Sequence, residues 1–265
     1  MGIGSDISIV KLGGSLVTYK DRPLSVNLPG LRVAVRELSA YLNSNKNAKL
    51  FIIHGGGSFG HFFAKEFGLT TRFSKIQPEG VALTLTAMLQ LHSLILEQLN
   101  SKEVFCATVL PSELMSSDAD RITASGSARV RSIFSCGLTP ISFGNVLIRK
   151  GSSRVISGDE IALALVHRFR AKNVIFAMDV DGIYPTSELR GDVLPEVSSN
   201  DKIGSITRKY DVTGGVEKKL ITGLKMSKSG ARVFFVNGSK EGRLSSLLNG
   251  EKDVISTRIV PKRVQ

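Results

Sequence analysis

Tryptophan is absent from this chain of 265 residues, aromatic residues make up only 6%, and there are just two cysteines. Cys106 and Cys136 cannot form the disulfide framework of a small secreted domain, and they lie in no metal-ligand spacing. The low aromatic content, without an RNA-binding aromatic motif, argues against a protein that stacks on nucleic-acid bases. The composition instead favours a reducing compartment and an ordinary hydrophobic core.

Segments for targeting, membrane spanning and linking are also lacking. The N-terminus does not combine a charged start with an apolar stretch, so we expect no signal peptide. No apolar run approaches the ~20 residues that cross a bilayer. There is neither a Pro/Gly/Ser-rich linker nor an internal repeat. We therefore expect a cytoplasmic protein without a membrane partner, built as one large domain or two lobes that share a sheet.

Acidic residues are the minority, with 23 Asp and Glu against 35 Lys and Arg and a net charge of +12. Residues 201–265 hold 14 basic and 6 acidic residues, which contributes +8 of that total. Such an excess is typical of nucleic-acid-binding proteins, and also of proteins that handle phosphorylated small molecules. A solvated basic surface is a third interpretation, and the charge alone does not choose among them.

Short β-rich runs alternate along the chain with amphipathic helical patterns. Because the strands are almost continuously apolar, they predict an α/β fold with a mainly parallel central sheet sandwiched by helices. A helix gives way to a new strand near residue 170, so we place the lobe boundary there, with lobes 1–170 and 171–265. Strands are predicted at 7–12, 50–53, 138–143, 174–178 and 233–236, and helices at 31–42, 78–99, 159–169 and 218–231.

Two glycine clusters directly follow predicted strands. They are Lys11-Leu12-Gly13-Gly14-Ser15 and His54-Gly55-Gly56-Gly57-Ser58-Phe59-Gly60-His61. Adjacent glycines let backbone N–H groups approach an anion, and open α/β sheets bind ligands beyond the carboxyl ends of their strands. The P-loop spacing is absent. The second cluster formally matches Gly-x-Gly-x-x-Gly, but it lacks the acidic residue that a dinucleotide site needs.

The two clusters therefore predict sites for two phosphate groups, one from a donor and one from an acceptor. Lys11 could pair with phosphate, and His61 could donate a hydrogen bond or carry charge beside it. The alternative is a pair of plain glycine turns with a surface lysine and a structural histidine.

Three further motifs point to the same chemistry. Ser157-Gly158-Asp159-Glu160 starts a predicted helix, where Asp159 is either a functional acid or a simple cap. Asp179-Val180-Asp181-Gly182-Ile183-Tyr184 leaves a strand and has the chemistry of an ordinary turn. Residues 211–219, Asp-Val-Thr-Gly-Gly-Val-Glu-Lys-Lys, place cations at a helix start against the helix dipole. A bound anion would offset that conflict.

In this order, and over nearly the whole chain, the five motifs resemble the amino acid kinase family. The Ser58-Phe59-Gly60-His61 ending is similar to that of its archaeal members that phosphorylate isopentenyl phosphate. Phe62 departs from the small residue or proline expected next, at the rim of the pocket. The resemblance implies ATP with Mg²⁺, a small phosphorylated acceptor, a homodimer and no nucleic-acid partner.

Three other functions stay open at this stage. They are a fosfomycin kinase-like enzyme of the same family, a basic nucleic-acid-binding protein, and a ligand-sensing regulator without catalysis. The complete set of Lys11, Asp159 and Lys219 argues against the regulator.

The resemblance also assigns roles by position, with Asp159 orienting the lysines and no side chain acting as a metal ligand. The acceptor's apolar tail is expected against residues 81–96. The implied catalytic residues are Lys11, Lys20, His61, Asp159 and Lys219; those for the acceptor phosphate are Gly56, His61 and Gly158; those for ATP are Lys11, Gly13, Gly14, Ser15, Gly57, Asp179, Tyr184, Gly215 and Lys219.

Overall fold

The computed structural model describes residues 7–185, 191–198, 201 and 215–261. Within them a large sheet is covered by helices on both faces, and a small antiparallel sheet lies beside it. The strands are Ile7–Leu12 (β1), Lys49–His54 (β2), Ser74–Lys75 (β3), Cys106–Thr108 (β4), Thr139–Phe143 (β5), Asn145–Arg149 (β6), Ser152–Ile156 (β7), Asn173–Met178 (β8), Glu196–Ser198 (β9), Arg232–Asn237 (β10) and Ser256–Val260 (β11).

The described helices pack on the faces of the large sheet. They are Gly14–Val17 (α1), Leu28–Ser44 (α2), Gly57–Glu66 (α3), Pro78–Asn100 (α4), Pro111–Leu114 (α5), Ala124–Ser135 (α6), Gly158–Phe169 (α7), Gly215–Lys228 (α8) and Arg243–Asn249 (α9).

The large sheet has the strand order β4-β5-β2-β1-β8-β10-β11-β9, and the small sheet has the order β3-β7-β6. Neighbours in the large sheet are parallel except β10 and β11. The mainly parallel α/β fold is thereby confirmed. Strands that precede residue 170 form one half of the large sheet and later strands form the other, with β1 and β8 at the junction.

Successive residues of the central strands point into two different core layers, as the strand period of two requires. Ile9 and Phe176 lie in the layer that includes α6, α7 and α8. Val10 and Ile175 lie in the layer that includes α2, α4 and α9. Lys11 has the same parity as Ile9, so its side chain faces α7 at the carboxyl end of β1.

The long helix α4 corrects one expectation. It is long and apolar enough to cross a membrane by length and composition, with a mean hydropathy of 1.3 over 18 residues. Uncharged polar residues interrupt its apolar runs, so the sequence shows no unbroken apolar stretch of that length. In the structure 44% of that window is buried, with Met88, Leu91 and Ile95 in the core, and the core helix of a soluble protein meets the same criteria.

The main predicted strands and helices are confirmed, but both glycine clusters differ from the turns we expected. Helices α1 and α3 begin inside them, at Gly14 and Gly57. Gly57 has φ +48°, a conformation that favours glycine. The small sheet, β4, β9 and β11 were not predicted either. The helical starts matter for the site, because they leave backbone N–H groups at both helix N-termini available to an anion.

Candidate active site

The two glycine clusters meet backbone to backbone at the carboxyl ends of β1 and β2. The Gly13 N–H donates to the Ala177 carbonyl at 2.8 Å, which fixes the first cluster on β8. A Cβ on Gly14 would lie 2.6 Å from the Gly57 amide nitrogen. No other residue fits there without moving a backbone. The predicted ATP-binding residues Gly13, Gly14 and Gly57 therefore lie together.

Thr18 joins α1 to α3 and was not singled out from the sequence as a functional residue. Its hydroxyl donates to the Gly14 carbonyl at 2.8 Å and accepts from the Ser58 N–H at 2.9 Å. A Cβ on Gly57 would lie 2.0 Å from the same hydroxyl oxygen. A threonine shortly after a glycine motif was the available signal in the sequence, but its partner 40 residues away could not be known.

Lys11 and Asp159 form a buried ion pair beside this junction. Lys11 Nζ lies 2.6 Å from Asp159 Oδ1, with side-chain exposures of 6% and 13%. The lysine also lies over the Phe176 ring, 5.8 Å from its centroid. Moving either partner out of a buried pair would leave an uncompensated buried charge. The pair therefore strongly constrains the position of the lysine.

The cap of α7 removes one alternative for Asp159. Ser157 is the N-cap: its hydroxyl accepts from the Glu160 N–H at 3.2 Å, and the Glu160 carboxylate accepts from the Ser157 N–H at 2.9 Å. Asp159 is therefore free of capping duty and directs its carboxylate to Lys11. A Cβ on the neighbouring Gly158 would lie 3.5 Å from Lys11 Cε, which places that glycine at the same point.

Asp179 gathers two of the other predicted residues. It accepts from the Ser15 hydroxyl at 2.6 Å and lies 3.1 Å from Lys20 Nζ. Burial would raise the pKa of Asp179, but the Ser15 hydrogen bond and the Lys20 charge hold it below its ordinary value. Lys20 is 72% exposed, so water screens its pairing with Asp179 and the pair contributes little to stability.

His61 lies in the second turn of α3, which corrects the expectation that it ends a glycine loop. The residue is exposed on the surface of α3, although neighbouring atoms shield part of its ring from water. Partial desolvation, and then the charges of Lys219 and Lys11, lower its pKa below 6.5. His61 is therefore within electrostatic reach of both Lys219 and Lys11, and its ring is mainly neutral at pH 7.

The remaining predicted residues are less closely joined. A Cβ on Gly56 would lie 3.1 Å from the Met88 sulfur, so this part of α4, within the range expected for the acceptor tail, faces the second cluster. Tyr184 is buried after the Asp179 turn, with 9% exposure. Gly215 is the first residue of α8, and residues 211–214 of its motif lie outside the described residues.

A metal ion would find few protein ligands here. In the described ranges, no three His, Cys, Asp or Glu side chains come together as a metal site requires. Such a site fits Mg²⁺ only when the ion is bound mainly through phosphate oxygens and water.

Two buried histidines lie behind the second cluster and were not singled out from the sequence. His54 ends β2 and is fully buried, and His92 of α4 is 5% exposed. His54 Nε2 lies 3.0 Å from His92 Nδ1, and His92 Nε2 lies 2.8 Å from the Thr108 hydroxyl. Both rings stack on Phe143.

Burial sets the charge state of this pair. It lowers the pKa of His54 to about 3, with the charge of His92 as a second cause, and lowers the pKa of His92 to about 4. Both rings are therefore neutral at pH 7.

The histidine pair should make the protein less stable in acid. Below the ordinary pKa of 6.5 the unfolded chain binds protons that the folded rings refuse, so the unfolding free energy falls until the pH reaches the folded values. Within that pH window each ring lowers the unfolding free energy by at most ~1.4 kcal/mol per pH unit. Above pH 6.5 neither ring lowers it. Urea unfolding between about pH 7.5 and about pH 4.5 measures the slope. A double His54→Leu, His92→Leu variant should show a flatter slope, and an equal slope would contradict this origin.

Two glycine clusters and the Lys11–Asp159 pair lie at the carboxyl edge of a mainly parallel sheet, an arrangement typical of enzymes that transfer phosphoryl groups. The chain belongs to the amino acid kinase family, whose model matches residues 6–237.

Relatives of known activity cover almost the whole chain. It is 30% identical to the isopentenyl phosphate kinase of Methanothermobacter thermautotrophicus over 96% of this chain and 99% of that protein. It is 29% identical to the isopentenyl phosphate kinase of Methanocaldococcus jannaschii, over 92% and 96%. The crystal structure of the T. acidophilum isopentenyl phosphate kinase product complex superimposes with a TM-score of 0.75 at 25% identity, over 96% and 99%.

Proposed function

We propose that this protein transfers the γ-phosphoryl group of ATP to isopentenyl phosphate, giving isopentenyl diphosphate and ADP. The observation that carries the proposal is the buried Lys11–Asp159 pair, placed where two glycine clusters meet. The relatives named above support the choice of acceptor.

The chemistry of this transfer needs positioning and charge rather than a base. The acceptor phosphate oxygen is already anionic, so it attacks the γ-phosphorus in line without giving up a proton. The protein must bring two phosphates together against their repulsion and stabilise charge on the transferred group. Lys11 is held for this task by Asp159, and His61 lies within electrostatic reach of both Lys11 and Lys219.

The donor phosphates fit the first cluster. The Gly13, Gly14 and Gly57 backbones form a surface that Cβ atoms would fill, which suits close approach of phosphate oxygens. Mg²⁺, bound through those oxygens and water, would neutralise part of their charge. When the nucleotide binds, Lys20 and Ser15 would release Asp179 and contact the nucleotide instead.

The acceptor phosphate fits the second cluster. Gly56 and His61 lie at the start of α3, and Gly158 begins α7 beside Lys11. Met88 contacts the same cluster from α4, which supports an apolar tail site along residues 81–96. We assign residues 1–170 to the acceptor lobe and 171–265, with Tyr184 and Gly215, to the nucleotide lobe. The division of the sheet at β1 and β8 supports that boundary.

The cellular setting completes the proposal: a cytoplasmic homodimer that binds neither membrane nor nucleic acid. Leu83, Leu89 and Leu94 are exposed on α4 and support a subunit contact there. Sedimentation of purified protein tests the dimer, and absorbance after nuclease treatment tests for bound nucleic acid. The basic surface would in that case serve anionic substrates.

The acceptor should be selected by the size and apolarity of its tail. We expect isopentenyl phosphate to give a higher kcat/KM than UMP, acetylglutamate or fosfomycin. Dimethylallyl phosphate should differ only modestly, because it is a double-bond isomer with the same five carbons, and even a whole buried methylene contributes only ~0.8 kcal/mol. A coupled assay of ADP release with these five acceptors is the measurement. If UMP, acetylglutamate or fosfomycin is preferred, the acceptor is wrong although the family assignment stands.

A further inference from the structure

The hydrogen bonds of the buried histidine pair have only one consistent proton order. His54 Nδ1 lies 3.1 Å from the Gly55 carbonyl oxygen, which can only accept, so Nδ1 carries the proton. A neutral imidazole has one N–H, so Nε2 of His54 accepts from the Nδ1–H of His92. By the same argument, Nε2 of His92 accepts from the Thr108 hydroxyl. Every donor in this hydrogen-bond network points towards Gly55.

The hydrogen-bond network ends at the peptide that joins Gly55 to Gly56. In a trans peptide the carbonyl and the following N–H point in opposite directions. Because the His54 ring holds the Gly55 carbonyl, the Gly56 N–H is turned away from the ring. The preceding peptide is also fixed, since the Gly55 N–H donates to the Leu12 carbonyl at 2.9 Å. The Gly56 N–H has no backbone acceptor within the described part of the chain.

The surroundings leave the His54 ring little freedom. It stacks on Phe143 with centroids 5.0 Å apart and an interplanar angle of 11°. The His54 carbonyl accepts from the Gly144 N–H at 3.2 Å, and a Cβ on Gly158 would lie 3.4 Å from the same oxygen. The residue is therefore packed against both Gly55 and Gly158, and Gly158 is assigned with Gly56 to the acceptor phosphate in the proposed function.

We propose that His54 is a positioning residue that aims the Gly56 N–H at the acceptor phosphate, with His92 and Thr108 fixing its tautomer. The identity of the acceptor in this role rests on the proposed function, whereas the proton order of the two histidines does not. It requires no charge change and no contact between His54 and substrate. Its effect falls on the acceptor and not on ATP, because the hydrogen-bond network ends beside Gly56, which is assigned to the acceptor, whereas Gly57 is assigned to ATP.

Two substitutions separate positioning from packing. His54→Leu removes the ring's hydrogen bonds, whereas His54→Asn keeps an N–H donor near the position of Nδ1. We expect His54→Leu to raise the KM for isopentenyl phosphate about five- to tenfold, the worth of one hydrogen bond, with the KM for ATP unchanged. His54→Asn should recover most of that loss. A purely structural residue would lower the melting temperature in both variants without separating the two KM values, and that result would overturn the proposal.

The proton order can be tested on the unmodified protein. Long-range ¹⁵N–¹H correlation spectra should show both buried rings neutral and protonated at Nδ1; an Nε2-protonated His54 or His92 would overturn the proposal. Titration with inorganic phosphate should shift the Gly56 amide resonance of the wild type. The shift should be smaller in Thr108→Val, which removes the first donor of the network. An equal shift in the two proteins would also overturn the proposal. Neither measurement needs the His54→Leu variant, so both test the proposal even if that variant does not fold. If the wild type fails to phosphorylate isopentenyl phosphate but passes them, the proposed acceptor fails and the positioning role stands.

Discussion

Replacement of Lys11 should give the largest loss of activity in this protein. We expect Lys11→Met to lower kcat by roughly 10²-fold or more, which is a few kcal/mol of transition-state stabilisation. Lys11 is held by a buried carboxylate, at 2.6 Å from Asp159, so its charge is already placed before the substrates bind. Steady-state ATP turnover with saturating isopentenyl phosphate is the measurement, and Lys65→Met, an exposed lysine of α3, is the matched control.

The same substitution also leaves Asp159 buried without its partner, so a loss of stability must be separated from a loss of catalysis. Breaking a buried pair typically costs ~3–5 kcal/mol of folding free energy. A double Lys11→Met, Asp159→Asn variant removes the stranded charge, and we expect it to regain stability while turnover stays low. If turnover returns with stability, Lys11 acts only through the fold. Lys219→Met should show a comparable loss of turnover.

The main strands could be predicted closely because both of their faces are buried. Residues 174–178 were expected as a strand and Asn173–Met178 is observed, since an almost unbroken apolar run has few other uses in an α/β protein. The short strands Cys106–Thr108 and Glu196–Ser198 have too few residues to show any period. Their pairing depends on neighbours that are distant in the sequence.

The position of the site could be predicted from glycine clusters at strand ends, because parallel strands end at one edge of the sheet. The local structure of those clusters could not. Glycine has a low helix propensity, so a run of glycines predicts a turn, yet tertiary contacts start helices at Gly14 and Gly57. The partners were also beyond a sequence argument: His54 meets His92 from 38 residues away, and Ser15 meets Asp179 from 164.

His61→Ala should leave the fold intact and weaken the use of the acceptor. The ring is exposed on α3, and the glycine cluster is held by Thr18 and by backbone contacts rather than by the histidine. A hydrogen bond to a charged partner contributes about 1.5–3 kcal/mol, so kcat/KM for isopentenyl phosphate should fall roughly ten- to a hundredfold. Kinetics and melting temperature measured on one preparation separate this result from a structural role, which would lower the melting temperature and keep activity in the folded fraction.

The charge of His61 decides which replacement restores activity. Desolvation, Lys219 and Lys11 lower the pKa of the ring, so at pH 7 the free enzyme presents a neutral N–H donor. Positive charge is already supplied by the two lysines, and a third cation would add repulsion before the acceptor arrives. We therefore expect His61→Gln, a neutral donor of similar reach, to recover part of the activity lost in His61→Ala. A glutamine variant as weak as alanine would show that the protonated ring is needed, and full activity in the alanine variant would remove His61 from the acceptor site.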